Sequence, residues 1–338
     1  MNHDRFAAIA GRYPGLRVAV VGDFFLDRYL LIDPERAEVS IETGLDVHNV
    51  VDVRSQPGAA GTIVNNLVAL GVGEIHAVGF CGDDGEGYEL RRALLARGVG
   101  LDDFLTVSTR RTPTYCKPLV VAEGAPPREL NRLDTKNWSP TPTGLRRDLA
   151  SRLEALAGRV DAIILMDQVD LPETGVVTAE VRRAAHASHR DGLITLADSR
   201  RGLRDYPPLG FKMNAVELAR MAGTLESADL DTIRHLAGDL ARENRRPVFV
   251  TLAERGIVGS LPDEAPEHIP ALPLLGPIDI VGAGDCVTAN LAAALAAGAG
   301  LREAMKIAMA AASIVIHQLG TTGSANTAEI ARSLANRP

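Results

Sequence analysis

Short apolar runs that stop on a glycine or an aspartate recur along this chain, and stretches of helical periodicity separate them. Residues 17–22 (RVAVVG), 74–84 (EIHAVGFCGDD), 160–167 (VDAIILMD), 193–200 (LITLADSR) and 247–260 (PVFVTLAERGIVGS) are the runs. Their near-continuous hydrophobicity reads as strands buried on both faces of a parallel sheet. Between them, 62–72, 86–99, 144–157, 176–190, 229–243 and 286–298 repeat apolar residues at helical spacing or are rich in Ala and Leu, and two of these close on Gly71 and Gly298. A long apolar helix from 301 onward ends the pattern. Strand and helix alternate throughout. That specifies an α/β fold, a doubly wound, mostly parallel sheet with right-handed crossovers and helices on both faces.

Two stretches break the rhythm. Residues 28–53 lack helical periodicity and contain β-type segments such as VHNVVDV, and TPTYCKPLVV at 112–121 looks alike. A clear α/β unit separates them, so they are expected to pair as a small sheet outside the main fold, a β lid that closes over a ligand. The expected organisation is one unit over 1–338, with a core of about 17–27, 54–110 and 132–338 and a lid of about 28–53 and 111–131. Apolar residues on such a lid also suit a homodimer interface.

Composition narrows the class. A net charge of −7 argues against nucleic acid as the main partner. Cys81, Cys116 and Cys286 are isolated, which fits a reducing, cytoplasmic setting without a disulfide framework. No signal peptide or membrane span is legible, so no membrane partner is expected. The only lysines are Lys117, Lys136, Lys212 and Lys306; almost all positive charge is arginine, which reads as genome base composition. His186 and His189 lie three apart without a third ligand nearby and read as surface residues. The usual phosphate loop, GxxxxGK[ST], is absent, as are a dinucleotide-type GxGxxG after a strand and a GxSxG elbow.

The candidate chemistry gathers at 279–285, DIVGAGD. Gly282 and Gly284 sit where an extended segment becomes a helix N-terminus, whose free N–H groups and dipole hold anions. Asp285 in that turn would repel an anion unless it serves to take a proton from a hydroxyl. It is also a plausible helix cap. Asp23 and Asp27, in GDFFLDRY after the first strand, lie at the sheet edge where open α/β folds bind ligands. PGAAG at 57–61 is a second small-residue turn opening a helix. Asn214 and Glu217 stand three apart at a strand end, on one helix face, and equally spell a capping box.

Together these motifs resemble the ribokinase, or PfkB, family of carbohydrate kinases over nearly the whole chain, roughly from Val18 to Ser324. DIVGAGD resembles the family's D-[TV]-[TV]-G-A-G-D. The match implies Asp285 as catalytic base, Gly282, Ala283 and Gly284 as anion hole, and Asp279 as a ligand of the monovalent cation, such as K⁺, that many members bind. PGAAGTIVNNLVALG matches the family's Gly-Gly turn, which with Asp27 implies substrate binding by Asp27, Gly58, Ala59 and Thr62. Asn214 and Glu217 match an Asn-x-x-Glu that organises Mg²⁺ and phosphates through water, and VTLAERG implies nucleotide binding by Thr251 and Gly256. Within the family, GDFFLDRY, RTPTYCKPLV, NRLD at 131–134 and LGTTG at 319–323 look most like the D-glycero-β-D-manno-heptose-7-phosphate kinases. Some of those carry a second, nucleotidyltransferase domain, for which this chain is expected to be too short. Four departures stand out: Ala59 replaces a glycine, Thr62 an asparagine, Cys286 a threonine, and Met309 an asparagine near adenine. The resemblance implies transfer of the ATP γ-phosphate to a hydroxyl of a sugar or sugar phosphate with Mg²⁺. A nucleoside kinase of the same fold and a catalytically weak ligand-binding member are the alternatives.

Overall fold

The computed structural model describes residues 1–335 other than 123, 125 and 225–227. Nine strands form the main sheet. In spatial order they are Glu267–Ile269, Ile257–Ser260, Val248–Thr251, Gly210–Asn214, Ile194–Ser199, Ala162–Asp167, Arg17–Gly22, Glu74–Gly82 and Phe104–Val107. Seven run parallel; Ile257–Ser260 and Glu267–Ile269 close one edge antiparallel.

Alternation along the strands explains why both faces are covered. Val18, Val20, Ala162 and Ile164 point into one hydrophobic core with the helices Ala60–Leu70, Ala283–Ala296 and Leu301–Val315. Ala19, Val21, Ile163 and Leu165 point into a second core with Thr143–Ala157, Ala179–Ala187 and Leu230–Asn244. A side-chain period of two divides each buried strand between two layers.

The lid is a separate five-stranded sheet in which Leu133–Thr135, Thr114–Val120, Phe24–Ile32 and Val50–Ala59 lie in that order and Arg128–Glu129 adds to Thr114–Val120. The two β-type stretches do pair: Phe24–Ile32 runs parallel to Thr114–Val120 and antiparallel to Val50–Ala59. The first lid strand begins at Phe24, ahead of the expected stretch. Its leading residues Phe24 and Leu26 belong to the core, and only its distal half leaves it. Among the described residues, no helix is long and apolar enough to cross a membrane.

Candidate active site

Parallel strands deliver their C-terminal ends to one edge, and the predicted residues gather there. Gly22 aligns with Met166, Met166 with Asp198, and Asn214 with Thr251. Helix Ala283–Ala296 packs over the strands Ala162–Asp167 and Ile194–Ser199, which sets its N-terminus above this edge. Gly282 caps that helix with φ 81°, a left-handed conformation that favours glycine. Ala283 N–H is used by the turn, donating to the Ile280 carbonyl at 3.1 Å, and Cys286 N–H bonds the Gly282 carbonyl. Among the described residues, the N–H groups of Gly284 and Asp285 have no main-chain acceptor. They are the free donors of the helix end.

A lysine completes this anion cradle. Lys212 Nζ lies 3.1 Å from where a Cβ on Gly284 would be, so the glycine is what lets the amine approach. Lys212 is buried and donates to Asp198 Oδ2 at 2.8 Å; Thr288 Oγ1 donates to the same oxygen at 2.9 Å. Burial alone would lower the Lys212 pKa. Asp198, with Asp285 and Glu217 beyond it, outweighs burial and holds it above the usual lysine value. The ammonium stays charged.

Asp285 stands in the first turn of the helix, half-buried. Burial is the largest cause raising its carboxyl, and the Asp198 carboxylate adds to it. Lys212 opposes, Asp27 pushes further up, and the result is about 7. Asp27 therefore lies within electrostatic reach of Asp285. Asp27 itself is buried, and burial raises its pKa; Lys117, 3.9 Å away, and Arg132 pull it back. Gly58 lies against it: a Cβ there would come 2.8 Å from the Asp27 carboxyl carbon.

Ala59 adopts φ 54°, ψ −115°, a conformation suited to the glycine it replaces. Thr62 is buried, with its methyl 3.3 Å from where a Gly282 Cβ would be, so it packs behind the cradle. Asp23 has both carboxylate oxygens engaged by main chain. Its carboxylate accepts N–H bonds from Gln168 at 2.8 Å and Val176 at 2.7 Å, and so anchors the loop after strand Ala162–Asp167.

Asn214 and Glu217 do form the capping box: Glu217 N–H donates to Asn214 Oδ1 at 2.9 Å and Asn214 N–H to Glu217 Oε2 at 2.7 Å. The same box holds Glu217 near the cradle, because Asp198 and Lys212 both act on its carboxyl, which burial raises. One carboxylate oxygen stays outside the box, a hard donor fitted to Mg²⁺ through water. Thr251 ends its strand beside Asn214, donating from Oγ1 to the Met213 carbonyl at 3.3 Å. Gly256 turns with φ 95°, and a Cβ there would come 2.1 Å from the Ile269 carbonyl oxygen. Met309 lies buried in the helix-side core. Asp279 accepts Val281 N–H at 3.0 Å and Gly320 N–H at 3.1 Å, one on each oxygen, which leaves further lone pairs for a monovalent cation.

Sequence reasoning missed Lys212, Asp198, Lys117 and Arg132 as site residues. A charged residue inside a run otherwise buried on both faces was the available signal for Lys212 and Asp198. In a chain so poor in lysine, three of the four standing near the cleft was another.

Comparison with known proteins identifies the family. The signature of the pfkB family carbohydrate kinases matches residues 17–328. The bifunctional protein HldE of Pelobacter propionicus is 32% identical over 338 residues, 99% of this chain and 66% of that protein. HldE of Alkalilimnicola ehrlichii is 33% identical over 329 residues, 94% of this chain and 63% of that protein. The chain thus spans somewhat under two thirds of the curated relatives it matches. Among solved structures, Arabidopsis thaliana ribokinase complexed with ribose and ATP superposes with a TM-score of 0.68 at 18% identity, covering 95% of this chain and 99% of that one. Escherichia coli phosphofructokinase-2 in complex with potassium gives 0.72 at 18% identity, covering 95% and 100%. With its ribokinase-like fold and the family signature over nearly all its length, this chain belongs to the pfkB family of carbohydrate kinases.

Proposed function

We propose that this protein is an ATP-dependent kinase acting on a hydroxyl of a sugar phosphate. The observation that carries the reading is Asp285: a carboxyl raised to about 7 next to unpaired main-chain donors and a charged lysine, within electrostatic reach of Asp27. Asp285 accepts the proton of the attacking hydroxyl as that oxygen bonds to the γ-phosphorus and the bond to ADP breaks. The N–H groups of Gly284 and Asp285 and the Lys212 ammonium meet the charge on the phosphoryl group in transfer. Asp27 and the Gly58 turn orient the acceptor; Thr251 and Gly256 line the nucleotide side. Mg²⁺, when bound, would neutralise phosphate charge, and Glu217 would help hold it; Asp279 would hold a monovalent cation such as K⁺.

A phosphate on the substrate's far end is supported by the lid. Strand register places Tyr29, Tyr115, Lys117 and Arg54 on the face that bears Asp27. Arg54 lies 4.4 Å and Lys117 4.8 Å from the Tyr29 ring centre; Arg132 lies 4.3 Å and Lys136 5.8 Å from that of Tyr115. Four cations facing Asp27, Asp134 and Asp170 suit an anionic substrate better than a neutral sugar. Heptose 7-phosphate is the first candidate, on the HldE likeness. ADP release should be faster with phosphorylated than with plain sugars. Lys117→Met should raise KM for the sugar phosphate about 10- to 100-fold, the worth of a charge-assisted contact. Equal use of both sugar classes would refute the sugar-phosphate reading.

The same reading includes a homodimer. Val50–Ala59 is an edge strand of the lid, exposed over its first half, and Val53 and Leu133 stand open on the face away from Asp27. A second copy of the lid is the partner that fits an unpaired edge of identical register. Light scattering should give the mass of two chains.

A further inference from the structure

The loop 318–324 is bonded to the lid on one side and to the cradle turn on the other. On the lid side, Arg54 Nη2 donates to the Gly320 carbonyl at 3.0 Å, and Gln56 Nε2 donates to Thr322 Oγ1 at 2.5 Å; Thr321 Oγ1 donates back to Gln56 Oε1 at 3.4 Å. On the cradle side, Gly320 N–H donates to Asp279 Oδ2 at 3.1 Å, and the Asp279 N–H donates to the Ile316 carbonyl at 2.7 Å. The Thr322 Cβ lies 3.3 Å from where a Cβ on Gly282 would be, so loop and cradle are in van der Waals contact. Gln318 braces the loop internally, donating to the Ser324 carbonyl at 2.9 Å and accepting its N–H at 3.0 Å. Gln56 is the register partner of Asp27. The strand that carries the acceptor-side aspartate is therefore three contacts, Asp27–Gln56, Gln56–Thr322 and Thr322–Gly282, from the turn that precedes the donors of the phosphoryl site.

We infer that Arg54 and Gln56 are positioning residues: through loop 318–324 they fix the Asp279–Gly282 turn, and so the cradle, according to where the lid stands. Side chains that bond a loop on one edge of a rigid turn remove the turn's freedom to open. Without the link, the lid still binds its ligand through Asp27 and Lys117, but the Gly284 and Asp285 N–H groups are no longer held in place. The effect on the kinase rests on the proposed phosphoryl transfer; the effect on the turn does not.

The test joins amide hydrogen exchange to kinetics on the full chain, for Gln56→Leu, Arg54→Met and Thr322→Val. Without any ligand, exchange in peptides covering 279–286 should speed up about tenfold in each variant, and helix Leu230–Asn244 should keep its wild-type rate. Turnover should fall about tenfold or more, while KM for ATP changes less than about threefold in all three and KM for sugar phosphate does so in Gln56→Leu and Thr322→Val, Arg54 being itself one of the acceptor-side cations. The Gln56→Leu, Thr322→Val double variant should be no worse than Gln56→Leu alone, since the contact that Thr322→Val breaks is one Gln56→Leu already removes. Unchanged exchange at 279–286 with faster exchange only at 318–324 would overturn the link, as would additive losses or a loss confined to KM. An inactive wild type with the exchange result intact would sink the kinase reading and leave the link standing.

Discussion

The Asp285 carboxyl, raised to about 7, makes the enzyme's pH dependence a direct readout of its base. A base works ionised, and ionisation is lost as pH falls through the folded-state pKa, so turnover must rise with pH across neutrality. With a midpoint near 7 in the ligand-free protein, about nine-tenths of the Asp285 side chains are ionised at pH 8 and about one-tenth at pH 6, so kcat/KM should fall about tenfold between them. An aspartate at its ordinary pKa would be ionised at both and give a flat profile. Initial rates of ADP release below saturation give kcat/KM, and the Asp285→Asn profile run alongside separates the base from titration of the substrate phosphates. Asp285→Asn should lower kcat about 10²- to 10⁴-fold and abolish the acid limb. Asp198→Asn should move the midpoint down, because Asp198 is the largest charge pushing Asp285 up and its loss leaves Lys212 unopposed. A flat profile from pH 5.5 to 8.5, or a limb that survives in Asp285→Asn, would refute the reasoning.

Three further outcomes follow from the packing. Lys212→Met leaves Asp198 buried without its cation and should cost about 3–5 kcal/mol in chemical denaturation, with much of that restored by the Lys212→Met, Asp198→Leu pair. Ala59→Gly relieves the φ 54° backbone and should stabilise the protein by about 1 kcal/mol in the same assay. Gly58→Ala drives a methyl into the Asp27 carboxylate and should weaken acceptor binding, read as a higher KM for the sugar phosphate with KM for ATP unchanged.

What was legible in the sequence is what local chemistry encodes. The DIVGAGD turn could be read because a glycine pair before an Ala-rich helix fixes both the backbone conformation and the place of Asp285. Asn214 and Glu217 were legible twice over, and both readings coexist: the capping box is the device that holds Glu217 at the site. Only the family resemblance singled out Asp27; local chemistry could not tell it from Asp23, since the N–H groups that consume Asp23 come from residues 168 and 176, far along the chain. Lys212 and Asp198 were hidden inside apolar runs, where the pairing that makes them tolerable joins two strands and appears only in three dimensions. The lid was visible as β-type sequence, but its parallel register, Asp27 beside Tyr115, is set by tertiary packing rather than by a turn.

Phosphoryl transfer itself is tested most directly by following ³²P from γ-labelled ATP into heptose 7-phosphate, with wild type and Asp285→Asn side by side. The account predicts a labelled sugar bisphosphate from the wild type and a rate lower by at least about two orders of magnitude from the variant. Equal labelling by both proteins, or label passing to nucleosides and plain sugars in preference to sugar phosphates, would contradict it.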